Sequence, residues 1–154
     1  MKTARLAARQ LLKNYSFIDY VTNLYAIAAK IGIVIYKTDK LPDNVLGSAR
    51  LTNTGIWVIV VNSNQIFTRL RFTIAHEIGH IVLNHSHSEY HLATPHNTWQ
   101  EREANIFASE LLMPVTKFKD LYFNRHITDD LDIAKYFKVS KQAADIRISE
   151  ITGK

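Results

Sequence analysis

The chain has 154 residues, 47% hydrophobic and 21% charged, which suits one domain with a real core and argues against disorder. It has no cysteine, which excludes a disulfide framework, a cysteine zinc finger and a cysteine nucleophile, and fits a reducing cytoplasm. The net charge of +5 permits a nucleic-acid or acidic partner without requiring one.

No apolar run approaches the roughly 18 residues of a membrane span. The N-terminus alternates basic and apolar residues without an apolar signal core, so the expected location is cytoplasmic. Residues 3–13 set Ala4, Ala7, Ala8, Leu11 and Leu12 against Lys2, Arg5, Arg9 and Lys13, an amphipathic helix with a basic, solvated outer face. A second helix is predicted over residues 17–30, stopped by Gly32. The pattern then changes to short β-branched runs. Strands are predicted over residues 31–36, 45–52 and 56–61, with Asn53-Thr54-Gly55 turning the last two into a hairpin. Asn62-Ser63-Asn64 ends the hairpin and is placed to cap the next helix.

That helix, residues 68–85, carries His76-Glu77-Ile78-Gly79-His80, the H-E-x-x-H pattern. Residues four apart share one helical face, so two imidazoles can hold one Zn²⁺ at roughly 2.0–2.1 Å each. Glu77 follows the first ligand, where a general base for a water molecule is needed. Ile74, Ala75, Ile78, Ile81, Val82 and Leu83 surround the motif with apolar groups, so the helix should be central and buried. Two ordinary histidines on a helix are the bland reading, but burial makes them costly unless something engages them.

A catalytic zinc site needs three protein ligands and one open position. A third histidine three residues past a glycine fails here, because Leu83 and Ser86 stand at those places; His85 and His87 flank the required position. The polar stretch 86–98 is a loop, and a helix over residues 99–113 follows, stopped by Pro114. It opens with Glu101-Arg102-Glu103-Ala104-Asn105. Glu101 and Asn105 share a face, so Glu101 can bind metal and Asn105 can hydrogen-bond a ligand histidine from behind. Ala104 and Ala108 are small enough for close packing on the metal helix. Glu103 lies about 200° around from Glu101 and is expected at the surface. A short helix near Val115 and two more between residues 129 and 151, broken around Lys138-Val139-Ser140, complete the chain.

The predicted fold class is α+β: a small, mostly antiparallel sheet of about three strands packed on a helical bundle containing the H-E-x-x-H helix. One domain is expected over residues 1–154, with N-terminal helices over 1–30, the sheet over 31–62, zinc-site helices over 66–114 and C-terminal helices over 115–154.

The run Arg71-Phe72-Thr73-Ile74-Ala75-His76-Glu77-Ile78-Gly79-His80-Ile81-Val82-Leu83, followed by Glu101-Arg102-Glu103-Ala104-Asn105-Ile106-Phe107-Ala108-Ser109-Glu110-Leu111-Leu112-Met113-Pro114, resembles the ImmA/IrrE metallopeptidase family. The resemblance is strongest over residues 55–115. It implies a gluzincin-like zinc fold with Zn²⁺ as cofactor, His76, His80 and Glu101 as ligands and Glu77 as catalytic base. It further implies a zinc-dependent endopeptidase whose protein partner is a helix-turn-helix transcriptional repressor of a phage, mobile element or stress regulon, often encoded nearby. Not every member is an active protease.

Peptide hydrolysis also needs an oxyanion partner, for which Tyr90, His91 and His96 are the candidates. A strand edge near residues 56–61 is expected to hold an extended substrate by main-chain pairing. The alternative reading is a DNA-binding or repressor-binding regulator with a non-catalytic zinc site. It rests on the helix-turn-helix flavour of residues 131–147, with Lys141 and Gln142 opening the second helix and Lys138 where a turn glycine is often found. Two helices packed on the core are the favoured account of that tail, so direct DNA binding is permitted but not favoured.

Overall fold

The structure is a computed structural model that describes residues 2–85, the main chain of residues 91–92, and residues 98–154. Helix α1 (Lys2–Leu12) buries Ala4 and Ala8 as its spacing requires. One of its basic residues is not simply solvated, because Arg9 Nε donates to Glu110 at 2.9 Å. Helix α2 covers only Leu24–Lys30, seven residues later at its start than the composition suggests. The reason is local. Val21 N–H bonds the Asp19 carboxylate at 2.7 Å, Thr22 Oγ1 donates to the Leu111 carbonyl at 2.8 Å, and Asn23 caps Ala26 N–H at 3.1 Å. These side-chain bonds offer residues 19–23 an alternative to the helix ladder. Gly32, at φ +77°, then ends α2 as predicted.

Strands β1 (Ile33–Thr38), β2 (Val45–Leu51) and β3 (Trp57–Asn62) lie in the order β1-β3-β2, with a two-residue segment β4 (His91–Leu92) beyond β2. β2 and β3 form the expected antiparallel hairpin, from Gly47 opposite Val61 to Leu51 opposite Trp57. Its turn closes through Thr52 N–H to the Ile56 carbonyl at 2.9 Å, with Gly55 at φ +82°. β1 runs parallel to β3, from Ile33 opposite Trp57 to Thr38 opposite Asn62, so the sheet is mixed. This pairing corrects one expectation. β3 is bonded on both sides and offers no edge at residues 56–61 for an extended substrate.

Helix α3 (Phe67–Val82) crosses β2 and β3. Close approach is possible because Gly47 has no side chain: a Cβ there would stand 3.0 Å from Thr73 Cγ2 and 3.0 Å from the Val60 carbonyl. Gln65 fastens the corner, donating to the Leu46 and Asn62 carbonyls at 2.9 Å and accepting from Thr73 Oγ1 at 2.9 Å. Asn62 holds the turn, accepting from Asn64 N–H at 3.0 Å, and does not cap the helix; the N-cap is Ile66, without a side-chain bond. As its composition predicts, residues 73–80 are all buried.

Helix α4 (Trp99–Leu112) packs along α3, and a short α5 (Val115–Lys119) continues into a π-helical turn, Asp120–Asn124. Helices α6 (Asp130–Phe137) and α7 (Lys141–Thr152) form the predicted pair. Lys138 takes the left-handed conformation at φ 54°, the place glycine often fills, and Ser140 caps α7 through Ala143 N–H at 3.1 Å. Val139 between them is buried, and one core cluster runs from α1 through the sheet to α7. Fold class is α+β.

Candidate metal centre

The centre is built where α3 passes α4. Gly79 lies between the two histidines of the motif and sets the approach: a Cβ there would stand 2.9 Å from Phe107 Cδ1. On the facing helix Ala104 and Ala108 are fully buried, as close packing demands. Thr98 is the N-cap of α4, its Oγ1 accepting from Glu101 N–H at 3.2 Å. The same turn that starts the helix therefore fixes the backbone of Glu101.

Three side chains converge there. His76 Nε2 stands 2.9 Å from one Glu101 oxygen, His80 Nε2 stands 3.1 Å from the other, and the two Nε2 atoms are 3.0 Å apart. Among the described residues, His76, His80 and Glu101 form the one group of at least three such side chains able to hold a metal ion, with ligand atoms all within 4.8 Å of one another. Donors held at roughly 2.0–2.1 Å by a tetrahedral ion stand about 3.3 Å from one another. The observed separations lie within a few tenths of an ångström of that, so the donor set fits a divalent metal in both chemistry and spacing.

What stands behind each imidazole explains why both Nε2 atoms turn inward. His76 Nδ1–H donates to Asn105 Oδ1 at 2.8 Å, the partnership its spacing from Glu101 suggests. His80 Nδ1 lies 2.9 Å from His85 Nδ1, and His85 Nε2 lies 2.8 Å from Glu103 Oε1. Glu103 is thus 4% exposed, not at the surface. Helical projection from Glu101 placed it correctly on another face, but that face turns toward the end of α3, where His85 waits. His85 accordingly stands behind His80 and outside the three-donor group. Glu77 is fully buried beside His76 in the sequence.

His87, Tyr90 and His96 lie outside the described residues, and of His91 only the main chain in β4 is described. Two features went unused in reading the sequence. Thr98-x-x-Glu101 is a helix-start signature, and His85 with Glu103 could have been paired once Asn84 was read as a helix stop.

A second buried polar cluster lies at the other end of α4. Arg147 of α7 donates to Glu110, to the Met113 carbonyl at 3.1 Å and 2.8 Å, and to Glu150 at 3.1 Å. Glu110 is fully buried. Burial pushes its carboxyl up, but Arg147 and Arg9 outweigh that and hold it below the ordinary glutamate range.

A helix presenting two imidazoles one turn apart, closed by a carboxylate from the next helix, defines a metallopeptidase-like domain. The chain belongs to the M78 peptidase family: the family model described as IrrE N-terminal-like domain matches residues 28–149. No curated protein matches the chain. Among solved structures it is similar to a Mycobacterium tuberculosis transcriptional regulator, at 18% identity and a TM-score of 0.66. That match covers 97% of this chain and 47% of the other, so the chain spans about half the regulator's length. At that identity the likeness concerns the fold. Among the described residues no helix is long and apolar enough to cross a membrane.

Proposed function

We propose that this domain is a zinc-dependent endopeptidase that cuts a protein partner, a helix-turn-helix transcriptional repressor, inside the cytoplasm. The observation that carries the reading is the convergence of His76, His80 and Glu101 within 4.8 Å, immediately beside the buried Glu77. His76, His80 and Glu101 would hold the zinc. When bound, that ion supplies Lewis acidity toward a scissile carbonyl and an attacking water.

The remaining work falls to this chain. Glu77 takes the proton of the attacking water and returns it to the departing amide nitrogen. Asn105 and His85 hold the two histidines from behind, so that Nε2 of each is presented to the ion. The oxyanion role belongs to the segment carrying Tyr90, His91 and His96, which follows α3 directly. The repressor as substrate comes from the family resemblance.

The test uses the zinc-loaded protein and a purified helix-turn-helix repressor. New fragments should appear, vanish with a chelator, and fall at least about a hundredfold in rate in Glu77→Gln, which keeps its zinc. Unchanged turnover in that variant would remove Glu77 from its role. The α6–α7 pair carries the other reading, a DNA-binding regulator, since its short turn passes through Lys138 in the left-handed conformation, where a turn glycine often stands. Buried Arg147 and the Lys141–Asp130 pair at 2.9 Å, however, give that pair a packing role. A salt-sensitive, sequence-selective DNA shift without proteolysis would favour the regulator.

A further inference from the structure

We infer that His85 and Glu103 are positioning residues for the metal, a two-residue relay that fixes the tautomer and aim of His80; this rests on His80 being a ligand. The starting point is how α3 ends. Leu83 is its C-cap, and Asn84 follows at φ 55°, in the left-handed region that asparagine tolerates better than most residues. Two main-chain bonds complete the stop, Asn84 N–H to the Ile81 carbonyl at 3.1 Å and His85 N–H to the His80 carbonyl at 3.0 Å. This six-to-one closure folds the chain back on the last turn. The His85 backbone is therefore tied to His80 itself, and its ring comes to rest against the His80 ring, centroids 5.0 Å apart.

The hydrogen bonds then have only one consistent direction for neutral rings. If His80 Nε2 gives its lone pair to a metal, its proton sits on Nδ1 and is donated to His85 Nδ1, 2.9 Å away. His85 must accept there, so its own proton is on Nε2, where it is donated to Glu103 Oε1 at 2.8 Å. Every proton in the chain points away from the metal and toward a carboxylate. With the other tautomer pair, His80 would carry its proton on Nε2, among the donors, and His85 would set a bare nitrogen against the Glu103 oxygen. The carboxylate thus selects the binding tautomer two side chains away.

His76 shows the simpler version of the same device, one amide oxygen on Nδ1. The His80 arm is longer because α4 presents Glu103 two residues after Glu101, and on that side an imidazole is needed to span the gap. Both His85 and Glu103 are buried, at 6% and 4% exposure. A carboxylate in that position is costly unless a donor engages it, which His85 does. This also accounts for a buried acid in α4 that binds no arginine or lysine among the described residues.

The experiment measures Zn²⁺ affinity of the full chain by competition with a chromophoric chelator, together with the visible spectrum of the Co²⁺-loaded protein. Glu103→Leu and His85→Leu should weaken Zn²⁺ binding about 10- to 100-fold and alter the Co²⁺ bands. His85→Gln keeps an acceptor for His80 and a donor for Glu103, and Glu103→Gln keeps an acceptor for His85. Both should stay within a few-fold of the parent, and these conservative variants remain informative if the leucine variants fail to fold. Parent-like affinity and spectrum in folded leucine variants would overturn the relay. So would a loss in the glutamine variants as large as the leucine range. His80→Ala separates the two levels: if it too binds Zn²⁺ like the parent, the ligand set itself is wrong.

Discussion

Helix α4 carries a carboxylate cluster at each end, and the two meet opposite kinds of partner. Near its C-terminal end Glu110 faces two guanidiniums, Arg147 and Arg9, whose charge is permanent. Near its N-terminal end Glu101 faces the Nε2 atoms of two imidazoles, which as neutral rings bring lone pairs and no charge. The first cluster is complete in itself and ties α1, α4 and α7 together. The second gathers three donors around one point and is of a kind that could hold a cation. Glu110, met by guanidiniums, is a structural tie; Glu101, gathered with two imidazole nitrogens around one point, is part of a candidate binding site.

Breaking each end should therefore give separable losses. The largest belongs to Glu101→Ala, for which metal affinity should fall by more than the about 100-fold that marks loss of an outer partner, while the fold persists. Zinc content after dialysis measures this, and full occupancy would dissolve the distinction between the two ends. Glu110→Ala should do the reverse, costing up to about 3–5 kcal/mol because Arg147 loses its buried acid and keeps only the more exposed Glu150, with Zn²⁺ affinity within a few-fold of the parent. Denaturant titration reads that loss.

The same position predicts a pH dependence. The Glu110 carboxyl is held below its unfolded value, so its contribution is present above about pH 4.3 and is lost as pH falls through the lower folded value. The parent should lose stability on that acid limb, and Glu110→Ala should show a shallower one. An equal slope in both would assign the acid sensitivity to other groups.

Smaller effects sharpen how the two helices are held. Gly79→Ala forces a Cβ to within 2.9 Å of Phe107 Cδ1, and overpacking of this kind costs about 1–3 kcal/mol. Because it separates α3 from α4 beside the candidate ligands, Zn²⁺ affinity should drop with stability. Thr98→Ala removes the cap on Glu101 N–H and should cost about 1 kcal/mol by thermal melting. A melt unchanged within error would show that the turn is held by its backbone alone.

Much of this molecule was open to reading from short-range pattern. The H-E-x-x-H spacing, the run of apolar residues around it, the Asn53–Gly55 turn and the Glu101–Asn105 pair each act within one or two helical turns or one hairpin, where geometry follows from spacing. That is why His76, His80, Glu101 and Asn105 could be grouped in advance, and why the α6–α7 break was placed at Lys138–Ser140. The start of α2 escaped because Thr22 answers to Leu111, 89 residues away, and such a partner leaves no local trace. β3 likewise reads as half of a hairpin, and only packing brings β1 alongside it in parallel. Glu103 is the sharpest case. Helical projection placed it off the Glu101 face, but whether that face meets water or His85 depends on where α3 stops and turns. The sequence by itself determined the candidate donor types and their spacing, because those are set by the helical repeat. Only the tertiary structure decided which buried acids are tied to arginine and which to imidazole, because that follows from which helix ends meet.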